Sequence, residues 1–239
     1  MGLEMTMDAA EEGAPASASA AVVAGERVGV EIYPLSRYYF GARDAAAGGR
    51  ETAGDRALRL KANFAAHGLR TSVHGVLLLR LFITHGVLPV CLQVELFDHP
   101  HVLLLQVRNS SFHLPGGRLR PGEQDVQGLN RKLSSKLSVV GHQDDEDEWQ
   151  IGECIGVWWR SEFDAVPFPY LLPNARAPKE CIKLFLIKLP VSRQFVVPRN
   201  MKLLAVPLSQ IHDNAQVYGP IIAGIPNLLS KFSFNIISD

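Results

Sequence analysis

The stretch from 114 to 139, LPGGRLRPGEQDVQGLNRKLSSKLSV, limits this chain more than any other. A Gly-rich turn opens it, a charged loop follows, and an amphipathic helix closes it. Val126, Leu129, Leu133 and Leu137 recur at spacings of three and four, so they line one helical face. A helix that is apolar on one side needs a sheet to cover. The rest of the chain is expected to place this loop and helix against one.

The front half of the stretch resembles the Nudix box, Gly-x5-Glu-x7-Arg-Glu-apolar-x-Glu-Glu-x-Gly-apolar. Gly117 begins it, Glu123 falls six residues later and Arg131 eight after that. Where the box carries its remaining glutamates, this chain has Lys132, Ser135 and Lys136, and Ser138 replaces the closing glycine. Mg²⁺ is a hard cation held by carboxylate oxygens. Two ammonium groups and a hydroxyl do not replace three carboxylates. Beside Arg131 they repel a metal and favour an anion. The box keeps its shape and loses its chemistry, which points to a binding module on an enzyme fold.

Net charge is zero, but its distribution is uneven. Residues 1–26 hold five acids (Glu4, Asp8, Glu11, Glu12, Glu26) and no Lys or Arg, leaving 24 basic against 19 acidic side chains in the remainder. Five of those acids form the run 144–148. A mildly basic body permits an anionic partner without proving one. Residues 1–26 are rich in Ala, Gly, Ser and Glu with no aromatic, the composition of a disordered tail. One domain is expected over 27–239. Cys91, Cys154 and Cys181 have no CxxC or metal spacing and read as reduced, partly buried thiols. The tail lacks the pattern of a secretory signal or a transit peptide. The longest apolar stretch, 76–97, is broken by Arg80, His85, Pro89, Gln93 and Glu95, so no membrane span is expected.

Along the chain, 28–40 reads as a short strand, a Pro turn and an aromatic cluster of Tyr33, Tyr38, Tyr39 and Phe40, expected to pack rather than to stack a base. A helix is predicted over 55–67, with Asp55 as N-cap, Gly68 as its stop, and Ala57, Leu60 and Phe64 toward the core. Strands are predicted at 72–81 and 101–107 from apolar runs suited to burial on both faces. LLLRLF at 77–82 is echoed by LQVELF at 92–97. That echo reads equally as an inserted hairpin, a splicing variant or a gene-model error. The acidic run is read as a solvated loop. A strand is expected at 149–159 with all three tryptophans, further strands at 181–189 and 203–206, and a final helix within 219–232. The Pro- and aromatic-rich segment 163–178 reads equally as a partner site or as a loop packing its own rings. One helix before the central hairpin and two after it make an α/β/α sandwich with a mixed sheet.

Several motifs outside the box narrow this further. FHLPGGRLRPGE (112–123), CIGVWWRSEF (154–163), FPYLLP (168–173), PKECIKLF (178–185) and YGPIIAGIPNLLSKFSF (218–234) together resemble the family of small Nudix subunits of cleavage factor I, the pre-mRNA 3′-end processing factor, most closely its plant form. The resemblance covers about 28–239. It implies a Nudix fold without hydrolysis, no cofactor and no metal. It implies recognition of single-stranded UGUA RNA upstream of poly(A) sites, a homodimer, and assembly with larger RRM-containing subunits and other polyadenylation factors in the nucleus. Single-stranded RNA is read by stacking on rings and by hydrogen bonds to base edges.

Position by position, the resemblance implies RNA contact by Arg56, His74, Phe112, Leu114, Tyr218 and Gly219, and contact with the large subunit by Phe168, Tyr170 and Leu228. Three positions depart from animal members. Ser111 stands where they have a base-stacking phenylalanine, and Gly48 and His74 stand where they have glutamates facing the RNA. The doubled segment, 79–93, is a fourth departure. Two other readings compete: a Nudix hydrolase of a nucleotide, a dinucleoside polyphosphate or an RNA cap, and a scaffold without RNA specificity. The first needs carboxylates where Lys132, Ser135 and Lys136 stand. The second predicts partner binding with no UGUA preference.

Overall fold

The apolar run GVLLL at 75–79 is buried from both sides, and the sheet is built around it. The structure, a computed structural model, describes residues 28–45, 52–81, 100–107, 111–138, 149–173, 176–191 and 193–237. In chain order these form β1 (Val28–Ile32), β2 (Tyr39–Arg43), α1 (Ala53–His67), β3 (Arg70–Leu79), β4 (His101–Val107), β5 (Ser111–His113), β6 (Gly116–Arg118) and α2 (Asp125–Leu137). There follow β7 (Gln150–Arg160), β8 (Glu180–Lys188), β9 (Gln194–Pro198), β10 (Met201–Pro207), α3 (Leu208–Ile211), α4 (Ala215–Tyr218), α5 (Pro220–Ala223), α6 (Ile225–Leu229) and β11 (Phe232–Ile236).

The main sheet runs β10-β4-β3-β8-β7, with β5 on β4 and β6 on β3. It is mixed: β3 and β8 are parallel, from Arg70 opposite Glu180 to Leu77 opposite Ile187, and the other pairs are antiparallel. Because side chains alternate across a strand, β3 feeds two cores. Val76 and Leu78 point to one, with Val102, Leu104, Ile182 and Leu184, covered by Ile211, Ile222, Ile225 and Leu229. Val73, Leu77 and Leu79 point to the other, covered by α2 through Leu129, Leu133 and Leu137. Helices on both faces of a mixed sheet are the predicted sandwich. Leu133 is fully buried in the second core. Leu133→Ala is therefore expected to cost about 2–5 kcal/mol in chemical denaturation.

Several expectations are corrected. Val126 lies on the predicted helical face but is 49% exposed, because α2 covers the sheet only from its second turn. Thr52, not Asp55, caps α1; its side chain accepts from the Asp55 N–H, while the Asp55 carboxylate accepts from the Thr52 N–H and completes a capping box. Ala57 is exposed, and Leu60 and Phe64 are only partly buried. The final helix is broken at Gly224 into α5 and α6, and its supposed end, Phe232, opens β11. Trp149 precedes β7 rather than lying in it. Cys154 is exposed and Cys181 buried.

Two parallel pairings were not foreseen: β1 with β11 and β2 with β9. The aromatic cluster packs in part. Tyr38 sits edge-on to Phe195 at 5.7 Å and Phe40 stacks on the same ring at 5.4 Å, but Tyr39 is 68% exposed. β3 uses the first copy of the echo, with Leu78 opposite Val102 and Leu79 opposite His101. The second copy, the tail 1–26, Gly48, Cys91 and the acidic run 144–148 lie outside the described residues. Among the described residues no helix is long and apolar enough to cross a membrane.

Candidate functional site

The N-terminal half of β3 reads Arg70-Thr71-Ser72-Val73-His74. Alternation turns Arg70, Ser72 and His74 to one side, away from the core residue Val73. There they line a cleft of about 410 Å³ closed by α1, the β5–β6 segment, the start of β8 and the α4–α5 junction. Six residues implicated by resemblance meet in it: Arg56, His74, Phe112, Leu114, Tyr218 and Gly219. Residues 74, 112 and 218 come from three distant parts of the chain, and the sheet brings them together.

β6 is seated on β3 by glycine. Gly116 has φ +146°, and a Cβ there would run into the Val73 carbonyl oxygen and stand 2.6 Å from the His74 Cα. β6 thus lies flat on β3, and the segment entering it from β5, which pairs with β4, carries Phe112 and Leu114 into the cleft. The Phe112 and Tyr218 rings sit 4.8 Å apart at 48°. Tyr218 is only 7% exposed, and burial raises its hydroxyl pKa. It backs Phe112 rather than offering an open face. His74 Nδ1 lies 3.3 Å from the Leu114 carbonyl oxygen, so Nδ1 carries the proton and Nε2 is left as an acceptor. Burial pushes the His74 pKa down to about 4, so the ring is neutral at physiological pH.

The cleft is cationic. Arg56, Arg70, Arg118 and Arg160 line it against one lining acid, Glu180. Glu180 is already held by Arg70 at 3.2 Å and Arg160 at 3.0 Å. Rings, a neutral imidazole and surplus guanidinium groups suit an anionic ligand with flat, polar-edged parts. Sequence reasoning missed Arg70, Arg118 and Arg160. The period-two pattern of Arg70, Ser72 and His74 was the available signal for the first. Ser111 is not among the residues lining the cleft; its hydroxyl sits 3.1 Å from His113 Nε2.

The box has its own geometry. Arg131 donates to both oxygens of Glu123, Nε to Oε1 and Nη2 to Oε2, each at 2.6 Å. The Arg120 N–H donates to Oε2 at 2.7 Å. These bonds hold the Glu123 carboxyl down to about 2, against an ordinary 4.5. A group whose folded pKa is lowered contributes stability above its unfolded pKa and loses it as pH falls through the folded one. Wild-type protein should therefore lose this share of its stability between pH 4.5 and about 2, and Arg131→Met should remove most of that loss, the Arg120 N–H keeping the rest. Thermal midpoints across that range test it; parallel curves would contradict it. His74 adds a loss below pH 6.5 to both proteins, since its folded pKa is also lowered.

The expected partner residues meet β7 within a few positions of each other. Phe168 exchanges backbone hydrogen bonds with Trp159, and its ring sits 5.8 Å from Tyr170, which is 54% exposed. Leu228 is partly buried over Gly156, where a Cβ would stand 2.8 Å from its Cδ1. In the segment 163–178, Phe163 packs edge-on to Phe64 at 6.0 Å, while Tyr170 and Leu171 face solvent.

The fold and the box define a class, the Nudix-type chains, and a family model described as NUDIX_2, nucleotide hydrolase, matches residues 28–232. Within that class the chain is similar to pre-mRNA cleavage factor Im 25 kDa subunit 1 of Arabidopsis thaliana, 58% identical over 210 residues, 87% of this chain and 86% of that one. It is 44% identical to subunit 2 of the same plant over 209 residues, 87% of this chain and 96% of that one. It is 42% identical to cleavage and polyadenylation specificity factor subunit 5 of Dictyostelium discoideum over 176 residues, 74% of this chain and 80% of that one. The chain belongs to this family of pre-mRNA cleavage factor Im 25 kDa subunits.

Proposed function

We propose that this protein is a non-catalytic, RNA-binding subunit of the nuclear machinery that cleaves and polyadenylates pre-mRNA. Its cleft reads UGUA in single-stranded RNA. The observation that carries the reading is the convergence of Arg56, His74, Phe112, Leu114, Tyr218 and Gly219 on one cationic cleft. The names of its relatives place them in 3′-end processing. Phe112 supplies a ring for a base. Neutral His74, with its free Nε2, accepts from a base edge where a carboxylate would otherwise do so. The guanidinium groups neutralise phosphates.

Hydrolysis is not part of this reading. Glu123 is engaged at both oxygens by Arg131, and Lys132, Ser135 and Lys136 provide no metal ligand of the kind Mg²⁺ requires. The protein acts as a homodimer, and Phe168, Tyr170 and Leu228 meet a larger RRM-containing subunit. A titration of the purified protein with UGUA RNA and with a scrambled control, in EDTA, tests the reading. Preference for UGUA without a metal supports it. Equal binding of the two RNAs contradicts it and favours a scaffold. Turnover of a dinucleoside polyphosphate when Mg²⁺ is supplied contradicts the non-catalytic part.

A further inference from the structure

Beside the cleft, against β6, lies a second cationic feature that the base-reading residues do not use. Lys132 and Lys136 are one helical turn apart on α2, so their side chains are neighbours. Lys132 lies against Gly117, with its Cδ 3.4 Å and its Nζ 3.8 Å from where a Cβ would stand. These are ordinary van der Waals distances, so the lysine stem lies alongside β6. Both lysines are partly buried. Among the described residues neither donates to an acid. Glu123 is the acid whose charge reaches Lys132, and Arg131 already occupies both of its oxygens. The charge of Lys136 reaches His113 and His74, which are imidazoles and supply no negative charge.

Bringing two ammonium groups together and partly burying them without a counter-charge is unfavourable. Burial lowers both pKa values, and the neighbouring cations, Arg131 for Lys132 and Lys132 for Lys136, lower them further. Such an arrangement is stabilised by an anion that reaches both groups. We propose that Lys132 and Lys136 form a phosphate-binding subsite at the edge of the cleft, with His113 and the Gly117 backbone as its rim. The phosphate comes either from the RNA backbone or from a free polyphosphate. Two point charges with rotatable donors suit a phosphate of either source. The RNA half of this inference rests on the cleft reading above; the phosphate half does not.

Inorganic tripolyphosphate in EDTA is the first probe, titrated calorimetrically into wild type, K132Q/K136Q and K132R/K136R. Wild type should bind, the glutamine variant should lose at least about tenfold, and the arginine variant should stay within about threefold. Thermal midpoints and circular dichroism of all three check that the fold is kept. UGUA RNA is the second probe, titrated over a range of salt. Loss of one backbone phosphate contact lowers the slope of log K against log salt by about 0.7, with the UGUA-to-scrambled ratio unchanged. A lower slope in K132Q/K136Q, restored in K132R/K136R, assigns the subsite to RNA. Loss of tripolyphosphate binding with an unchanged slope assigns it to a free polyphosphate. If K132Q/K136Q keeps both its tripolyphosphate affinity and its salt slope, the proposal is overturned. Failure of UGUA preference alone bears on the cleft reading and leaves the tripolyphosphate result standing.

Discussion

Phe112→Ala lowers affinity for UGUA RNA by roughly 5- to 150-fold, the equivalent of one stacked base. The argument is geometric. Phe112 is partly buried and lines the cleft, and its other side rests on Tyr218 at 4.8 Å. Tyr218 has little free face of its own, at 7% exposure. Ser111, beside Phe112, has no ring, and the other neighbour on β5, His113, is engaged by the Ser111 hydroxyl at 3.1 Å. Removing Phe112 takes one open platform from the cleft and leaves Phe163, packed edge-on to Phe64, in its lining. The scrambled RNA should lose less, because its affinity rests on phosphate contacts with the arginines. Fluorescence anisotropy of both RNAs, well below the thermal midpoint, gives the two numbers. An unchanged UGUA affinity would remove Phe112 from the reading.

Gly116→Ala destabilises the fold by about 3 kcal/mol or more, because strain and a backbone clash coincide. The residue sits at φ +146°, and its Cβ would press on the β3 backbone at Val73 and His74. Both contacts are backbone rather than a flexible side-chain end, so β6 itself must lift from β3. Gly122 is the control. It also has positive φ, +75°, but a Cβ there meets nothing within 4 Å. Gly122→Ala should cost only about 1–2 kcal/mol of backbone strain. Urea denaturation of the two variants separates the effects. Equal losses would mean that the close approach of β6 to β3 is not what requires glycine. RNA affinity should fall in Gly116→Ala and hold in Gly122→Ala, since only the first moves Phe112 and Leu114.

Much of the scaffold was legible in the residues. The three- and four-residue spacing placed Leu129, Leu133 and Leu137 in the core, where all three are fully buried. The apolar runs marked β3, β4 and β8 because strands covered on both faces lose their polar alternation. Val126 misled because a helical face in sequence does not show where the sheet beneath it ends. The C-terminal stretch misled differently. Ile225, Leu228 and Leu229 carry a helical spacing, and it absorbed Phe232, although Phe232, Phe234 and Ile236 already alternate as a strand does. The pairing of that strand with β1 joins Val28 to Phe232, and the choice of so distant a partner is not written in either segment.

The candidate site was less legible. Gly117 stood out as the start of the box, and Phe112 and Leu114 just before it through resemblance, but the cleft also needs Arg56, His74 and Tyr218 from elements far along the chain. Resemblance, not pattern, picked these three out. The bidentate hold of Arg131 on Glu123 was within reach, since eight residues separate them and a loop turning into a helix brings them back together. The surplus of arginines over acids in the cleft was hidden by a net charge of zero. The total says nothing about which face carries which sign.

The central claim is that the cleft, and not another surface, reads the RNA. Photo-crosslinking with UGUA RNA carrying 4-thiouridine at each U in turn, followed by peptide mass spectrometry, tests it most directly. The account predicts adducts on β5 around Phe112 and at Tyr218–Gly219, competed by unlabelled UGUA and not by a scrambled RNA. Adducts confined to the exposed aromatic segment around Tyr170, or an equal yield from both RNAs, would contradict it.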